Sequence, residues 1–265
     1  MKRLWCVFPI WLLVLATATA DERLDATVRQ YREALKEASP GELFVVMGEE
    51  LFRMKRGLKH ASLEACDFGL GPGVLTGAHA QLPRYFPDTD RVEDLESRLM
   101  SCMRQLQGFS EDAFPPHARS DPRMPDFERL AVYVAAQSNG MKLAAPLAHP
   151  KEVEAYRIGE RLFYRRAGAY DFSCATCHMQ QGKRIRLQRL AQLTNPGEAQ
   201  GVFPTWPAYR VAPGEVHTLQ DRLAICYWAA RHPQLRYGSE ASIALQVFLA
   251  QSANGGVIAV PGVKR

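Results

Sequence analysis

Apolar residues recur three or four positions apart along much of the chain. Leu24, Val28, Tyr31 and Leu35 form one such stripe, and Val92, Leu95, Leu99 and Met103 form another. Phe127, Leu130 and Val134, then Leu223 and Tyr227, continue it. This spacing puts side chains on one face of an amphipathic helix. Alternating strand patterns are sparse, and loops rich in Gly and Pro separate the helical stretches. The pattern predicts an all-α protein.

A different pattern opens the chain. Lys2 and Arg3 precede an apolar run from Leu4 to Ala16, and small residues follow in Ala16-Thr17-Ala18-Thr19-Ala20. This is the layout of a secretory signal peptide over 1–20, cleaved after Ala20. The run is short for a membrane span and contains Pro9. The expected mature chain begins near Asp21 and is exported, to the periplasm. Losing Lys2 and Arg3 lowers the net charge of +5 by two. So mild a positive charge favours small anions or an acidic partner and gives no argument for nucleic acid.

The mature pattern repeats. Gly48-Glu49-Glu50-Leu51-Phe52 resembles Gly159-Glu160-Arg161-Leu162-Phe163. Arg98-Leu99-Met100-Ser101-Cys102 resembles Arg222-Leu223-Ala224-Ile225-Cys226, and Leu130 to Val134 resembles Leu245 to Leu249. The three matches come in the same order at similar offsets. They imply two related helical domains, 21–147 and 148–265, joined near the Pro- and Ala-rich stretch Ala144 to Pro150.

Cysteine usage adds chemistry. Cys6 leaves with the leader, and Cys174 and Cys177 belong to the run Cys174-Ala175-Thr176-Cys177-His178. That run is the attachment motif of a c-type haem: both thiols form thioethers, and His178 is then placed under the iron. A redox disulfide would need surrounding strands, and a zinc site a second pair of ligands; neither pattern is present. On the repeat, Cys66 falls where the second half has Cys174, with Gly69 and Leu70 in the places of Cys177 and His178. The expected architecture is two tandem cytochrome c-like domains with one covalently bound haem c, the first domain having none.

The second axial ligand stays open at this level. No methionine follows Met179, which lies too close to His178 to reach the opposite face. His217, Cys226 and His232 remain. Cys226 lies on a predicted helix, Leu219 to Ala230, and a thiolate binds iron strongly; it could equally be a buried structural cysteine. Arg222, four residues earlier, shares its helical face. A guanidinium there would favour a thiolate and offer a fork of donors to an oxyanion, unless it is a solvated surface group. Lys183, Arg184, Arg186, Arg231 and Arg236 would widen this into a basic mouth. In a half that has lost its haem the empty space must close, which predicts a Cys66–Cys102 disulfide and leaves Cys226 as the odd cysteine.

These residues together carry a resemblance. The attachment run, Arg222-Leu-Ala-Ile-Cys226, Arg236-Tyr237-Gly238-Ser239-Glu240 and Ala253-Asn254-Gly255 are similar to the family of Sox A subunits, the L-cysteine S-thiosulfotransferases of thiosulfate oxidation. The resemblance covers nearly the whole mature chain. It implies His178 and Cys226 as axial ligands, with Cys226 found as a persulfide in family members. It implies Cys226 as sulfur nucleophile or relay and Arg222 as binder of the sulfonate oxygens. It also implies a heterodimer with a smaller monohaem cytochrome, the X subunit, and transfer to a cysteine of the YZ sulfur-carrier complex. Gly69 and Leu70 point to the branch of the family with a single haem.

Overall fold

The computed structural model describes residues 39–114, 124–185 and 188–264, with Arg23 and most of 26–35. The expected leader and Leu24 lie outside the described residues. Val28, Tyr31 and Leu35 are helical, as their spacing predicts. Pro40–Arg265 forms a unit of its own, described below.

Two pairs of long helices frame this unit. Helix α1 (Gly41–Arg53) packs on α3 (Met124–Ala136), and α4 (Pro150–Tyr164) packs on α8 (Glu240–Ala253). Each crossing is closed by a glycine that the sequence repeat pairs. A Cβ on Gly48 would lie 2.0 Å from the Arg129 carbonyl oxygen, and one on Gly159 would lie 1.9 Å from that of Ala244. No side chain fits there, so the backbones touch. One turn on, Phe52 meets Tyr133 and Phe163 meets Phe248, at centroid distances of 5.4 and 5.1 Å.

Shorter elements lie between the long ones. Strands β1 (Arg84–Phe86) and β2 (Arg91–Glu93) form an antiparallel hairpin that leads into α2 (Leu95–Cys102). Later in the chain come α5 (Cys174–His178), the two-residue strands β3 (Arg184–Ile185) and β4 (Gln188–Arg189), and α6 (Pro196–Ala199). A second hairpin, β5 (Ala208–Arg210) with β6 (Glu215–His217), then leads into α7 (Leu219–Ala229), and β7 (Gly262–Lys264) joins β5 in parallel. The fold is therefore helical with short hairpins, which corrects the all-α expectation. Val92 illustrates the reason. It lies in β2, because Asp94 adopts an extended conformation and starts α2 by capping the Ser97 amide at 2.8 Å. Strands of two or three residues leave no alternating pattern to read.

Each apolar core takes residues from both sides of residue 147. Phe52, Phe68, Leu99 and Leu130 pack with Val216, Tyr237, Ile258 and Val260. Phe163, Trp206, Leu245 and Phe248 pack with Leu143 and Ala145. Buried polar groups join the halves too. Asp94 Oδ2 accepts hydrogen bonds from Gln220 Nε2 at 2.6 Å and from Gln246 Nε2, and Glu96 Oε1 accepts from the Gln220 amide at 3.2 Å. Burial and the neighbouring Asp94 push the Glu96 carboxyl up from 4.5 to about 8.

Two outcomes follow. Gly159→Ala should cost about 1–3 kcal/mol through overpacking, visible as a lower Tm in a thermal melt; an unchanged Tm contradicts the close crossing. Unfolded Glu96 ionises near 4.5 and folded Glu96 only near 8. Its contribution is thus full below pH 4.5 and is lost as pH rises toward 8. Glu96→Gln should flatten the pH dependence of Tm across that window, and an undiminished slope contradicts the assignment.

Candidate functional site

The attachment run forms α5, a helix of five residues. Ser173 starts it with a reciprocal cap: the Thr176 amide donates to Ser173 Oγ at 3.1 Å, and the Ser173 amide donates to Thr176 Oγ1 at 2.9 Å. Cys174 therefore opens the helix and His178 closes it. His178 Nδ1 lies 2.9 Å from the Ala191 carbonyl oxygen. A carbonyl only accepts, so Nδ1 carries the proton and Nε2 keeps a lone pair for a metal. Burial holds the His178 pKa below its ordinary value, and the charge of Arg222 lowers it further.

Helix α7 brings Arg222 and Cys226 to this run. Burial pushes the Cys174 thiol up from 9.0 to about 12, with Cys226 the next cause and Cys177 a smaller one. Tyr227 is raised by burial and by Cys174. The three thiols are free and half-buried. Arg222 is half-buried, and no acid pairs with it among the described residues.

The other sequence candidates go elsewhere. His232 Nε2 donates to the Phe172 carbonyl at 2.9 Å, and its ring leans on Tyr227. His217 lies 2.5 Å from Asp221 in a separate buried cluster. Lys183, Arg231 and Arg236 are exposed, and the Arg231 guanidinium sits 5.3 Å from the centroid of the Trp228 ring. Arg184 is half-buried opposite Arg189 in the β3–β4 hairpin, and Arg186 lies outside the described residues. Sequence reasoning missed the Ala191 carbonyl, which no side-chain pattern announces. It also missed the exposed Tyr170, Phe172, Met179 and Trp228 around the run.

The first half holds a closed counterpart. The bridged turn Arg56↔Ala61 recurs as Ala167↔Phe172 just before α5. Carried by that offset, Leu63 falls on Cys174, Cys66 on Cys177 and Asp67 on His178. This corrects the register expected from the sequence, which set Cys66 on Cys174 and Gly69 and Leu70 on Cys177 and His178. Cys102, at the place of Cys226, is bonded to Cys66 with a Cα–Cα distance of 5.6 Å. Arg98, at the place of Arg222, is bound by Asp88 at 2.8 Å, by Glu93 at 3.3 Å and by the Asp67 carbonyl at 2.5 Å. Phe68 is fully buried. Closure is incomplete, since a cleft of about 510 Å³ remains between the disulfide, Arg84 and Tyr85.

The chain is similar to known proteins. Residues 47–143 match the family model described as the cytochrome c domain of SoxA/TsdA. The chain is 45% identical to "L-cysteine S-thiosulfotransferase subunit SoxA" of Hydrogenophilus thermoluteolus, over 95% of this chain and 93% of that protein. It is 35% identical to a protein of the same name in Hydrogenobacter thermophilus, over the full length of both. Its fold is similar to the crystal structure of SoxXA from P. pantotrophus, with a TM-score of 0.73 at 23% identity, over 89% of this chain and 84% of that one.

Alkylation of the purified, denatured protein should leave Cys66 and Cys102 unmodified until reductant is added, as read by peptide mapping. Modification of either before reduction contradicts the bridge. The bridge spans 36 residues, and replacing both cysteines by serine should cost about 3–4 kcal/mol.

Proposed function

We infer the function from the premise that this chain belongs to the SoxA family of L-cysteine S-thiosulfotransferase subunits. It is a cytochrome subunit of thiosulfate oxidation. The reaction joins thiosulfate to a cysteine of a carrier protein. R–SH and thiosulfate give R–S–S–SO3−, a proton and two electrons, so one S–S bond forms and the two sulfur partners are oxidised.

We assign the parts as follows. Residues 21–147 and 148–265 are tandem cytochrome c-like domains, and only the second holds a haem. The residues there fit the group: two free thiols at attachment spacing, an imidazole with its lone pair on Nε2, and a third thiol on the helix that faces them. In the first half, Leu63 and Asp67 stand where the second has Cys174 and His178. Cys174 and Cys177 would hold a single haem c by thioethers, and His178 and Cys226 would bind its iron. When bound, the haem supplies a one-electron redox centre for the electrons that the reaction releases.

The chain's own residues do the rest. Cys226 is the sulfur nucleophile or relay, since a thiolate can attack a sulfur and form a mixed sulfur–sulfur species. Arg222 binds the sulfonate oxygens, with its donors uncommitted to any acid among the described residues. Exposed Lys183, Arg231 and Arg236 draw in the anion or an acidic partner. The observation that carries this reading is the contrast between halves. Cys226 and Arg222 are free beside Cys174 and His178, whereas Cys102 and Arg98 are bonded and paired.

The same reading extends to partners and place. The P. pantotrophus relative comes from a complex named SoxXA, which supports a heterodimer of this chain with a smaller, SoxX-like monohaem cytochrome. A SoxYZ-like carrier receives the thiosulfate. Among the described residues no helix is long and apolar enough to cross a membrane, and with the leader this fits a periplasmic protein.

Cys226→Ala should retain its haem, by intact mass, and lose thiosulfate-dependent reduction. Arg222→Gln should raise the KM for thiosulfate by about tenfold, the worth of one charged hydrogen bond. Full turnover in Cys226→Ala would leave a plain electron-transfer cytochrome instead.

A further inference from the structure

A second group of metal-ligating side chains lies away from the attachment run. Glu128 comes from α3, His217 from the end of β6, and Asp221 from the first turn of α7. Each offers one ligand atom, and these atoms all lie within 4.8 Å of one another. His217 Nδ1 is 2.5 Å from Asp221 Oδ2 and 3.6 Å from Glu128 Oε1. The Asp221 and Glu128 side chains are 1% and 6% exposed.

Two buried carboxyl groups face one imidazole, and burial, with Asp221 and Glu215 nearby, pushes the Glu128 carboxyl up from 4.5 to about 9, so that it keeps a proton an ion could replace. Arg129 pairs with Asp126 at 3.2 Å, and its charge offsets only a small part of the rise at Glu128. Two buried atoms of the group, Asp221 Oδ1 and His217 Nε2, have no hydrogen-bond partner among the described residues. Unpaired buried polar atoms are costly, and a native fold seldom leaves two together. The equivalent place in the first half is solved differently. There Glu93, at the position of His217, is held by Arg98 and accepts from Ser101 at 2.6 Å.

We propose that Glu128, His217 and Asp221 bind a divalent cation of the zinc class. Two carboxylate oxygens and one imidazole nitrogen suit such an ion, which takes donors at about 2.0–2.2 Å. Drawing three atoms spaced within 4.8 Å onto one centre needs shifts of under about 1 Å. The ion displaces to solvent the proton between His217 and Asp221 and the one that Glu128 holds, and it neutralises the two carboxylates so formed. Because Glu128 belongs to the first half and the other two to the second, it staples the halves at the base of the helix that carries Arg222 and Cys226. It is a structural site, distinct from that of the haem.

The test uses the purified holoprotein, stripped with a chelator and titrated with zinc chloride. Calorimetry and elemental analysis after desalting should give one tightly held zinc ion per chain. Glu128→Gln and Asp221→Asn, both nearly isosteric, should weaken zinc binding at least tenfold with the haem spectrum unchanged. Wild type should also melt at a higher temperature with zinc than with chelator, a comparison that needs no folded variant. No stoichiometric binding by wild type, variants that bind as tightly as wild type, or a Tm indifferent to zinc would each overturn the site.

Discussion

The buried carboxylate of Asp94 is the constraint on which the rest of the structure hangs. One oxygen starts α2 by capping Ser97, and the other accepts from Gln220 and Gln246. A single acid therefore fixes a helix of the first half and two helices of the second. Gln220 lies two residues before Arg222 on α7, so the placement of Arg222 and Cys226 depends on a polar contact made across the molecule. Such a group is expensive to bury and tolerated only when its hydrogen bonds are complete. Here they are, which makes the orientation of α7 against α5 a property of the whole unit.

The positions that the sequence repeat pairs differ by a few side chains. Where Cys177 and Cys226 remain separate, Cys66 and Cys102 are joined. Where Arg222 is uncommitted, Arg98 is gripped by Asp88 and Glu93. In the first half the cysteines and the arginine at these positions thus act as a brace. The second keeps the same positions free, at the cost of a more open surface around Tyr170, Phe172 and Trp228. The family model's match to residues 47–143 falls on the braced half.

Much of this was legible in the sequence, for local reasons. The attachment run is a contiguous motif, and the repeat pairs Gly48 with Gly159, although nothing in the sequence marks them as helix crossings. The disulfide followed from the repeat, which set Cys66 and Cys102 on either side of a space that must close where no haem fills it. Its register did not, because the turn that aligns Cys66 with Cys177 is held by backbone hydrogen bonds between Arg56 and Ala61. The hairpins were invisible for the same reason. His217 and Asp221 stand four residues apart and could be paired by eye. Glu128 comes from far earlier in the chain, and only packing brings it to them. Long-range polar contacts such as Asp94 with Gln246 leave no periodic trace.

We propose above all that Cys226 and His178 share one haem iron while the first half carries none. Low-temperature EPR of the oxidised, purified chain tests it most directly. The account predicts one low-spin ferric species with thiolate and imidazole ligands, and its loss in Cys226→Ala. A high-spin species, or a low-spin signal that survives that replacement unchanged, would contradict it.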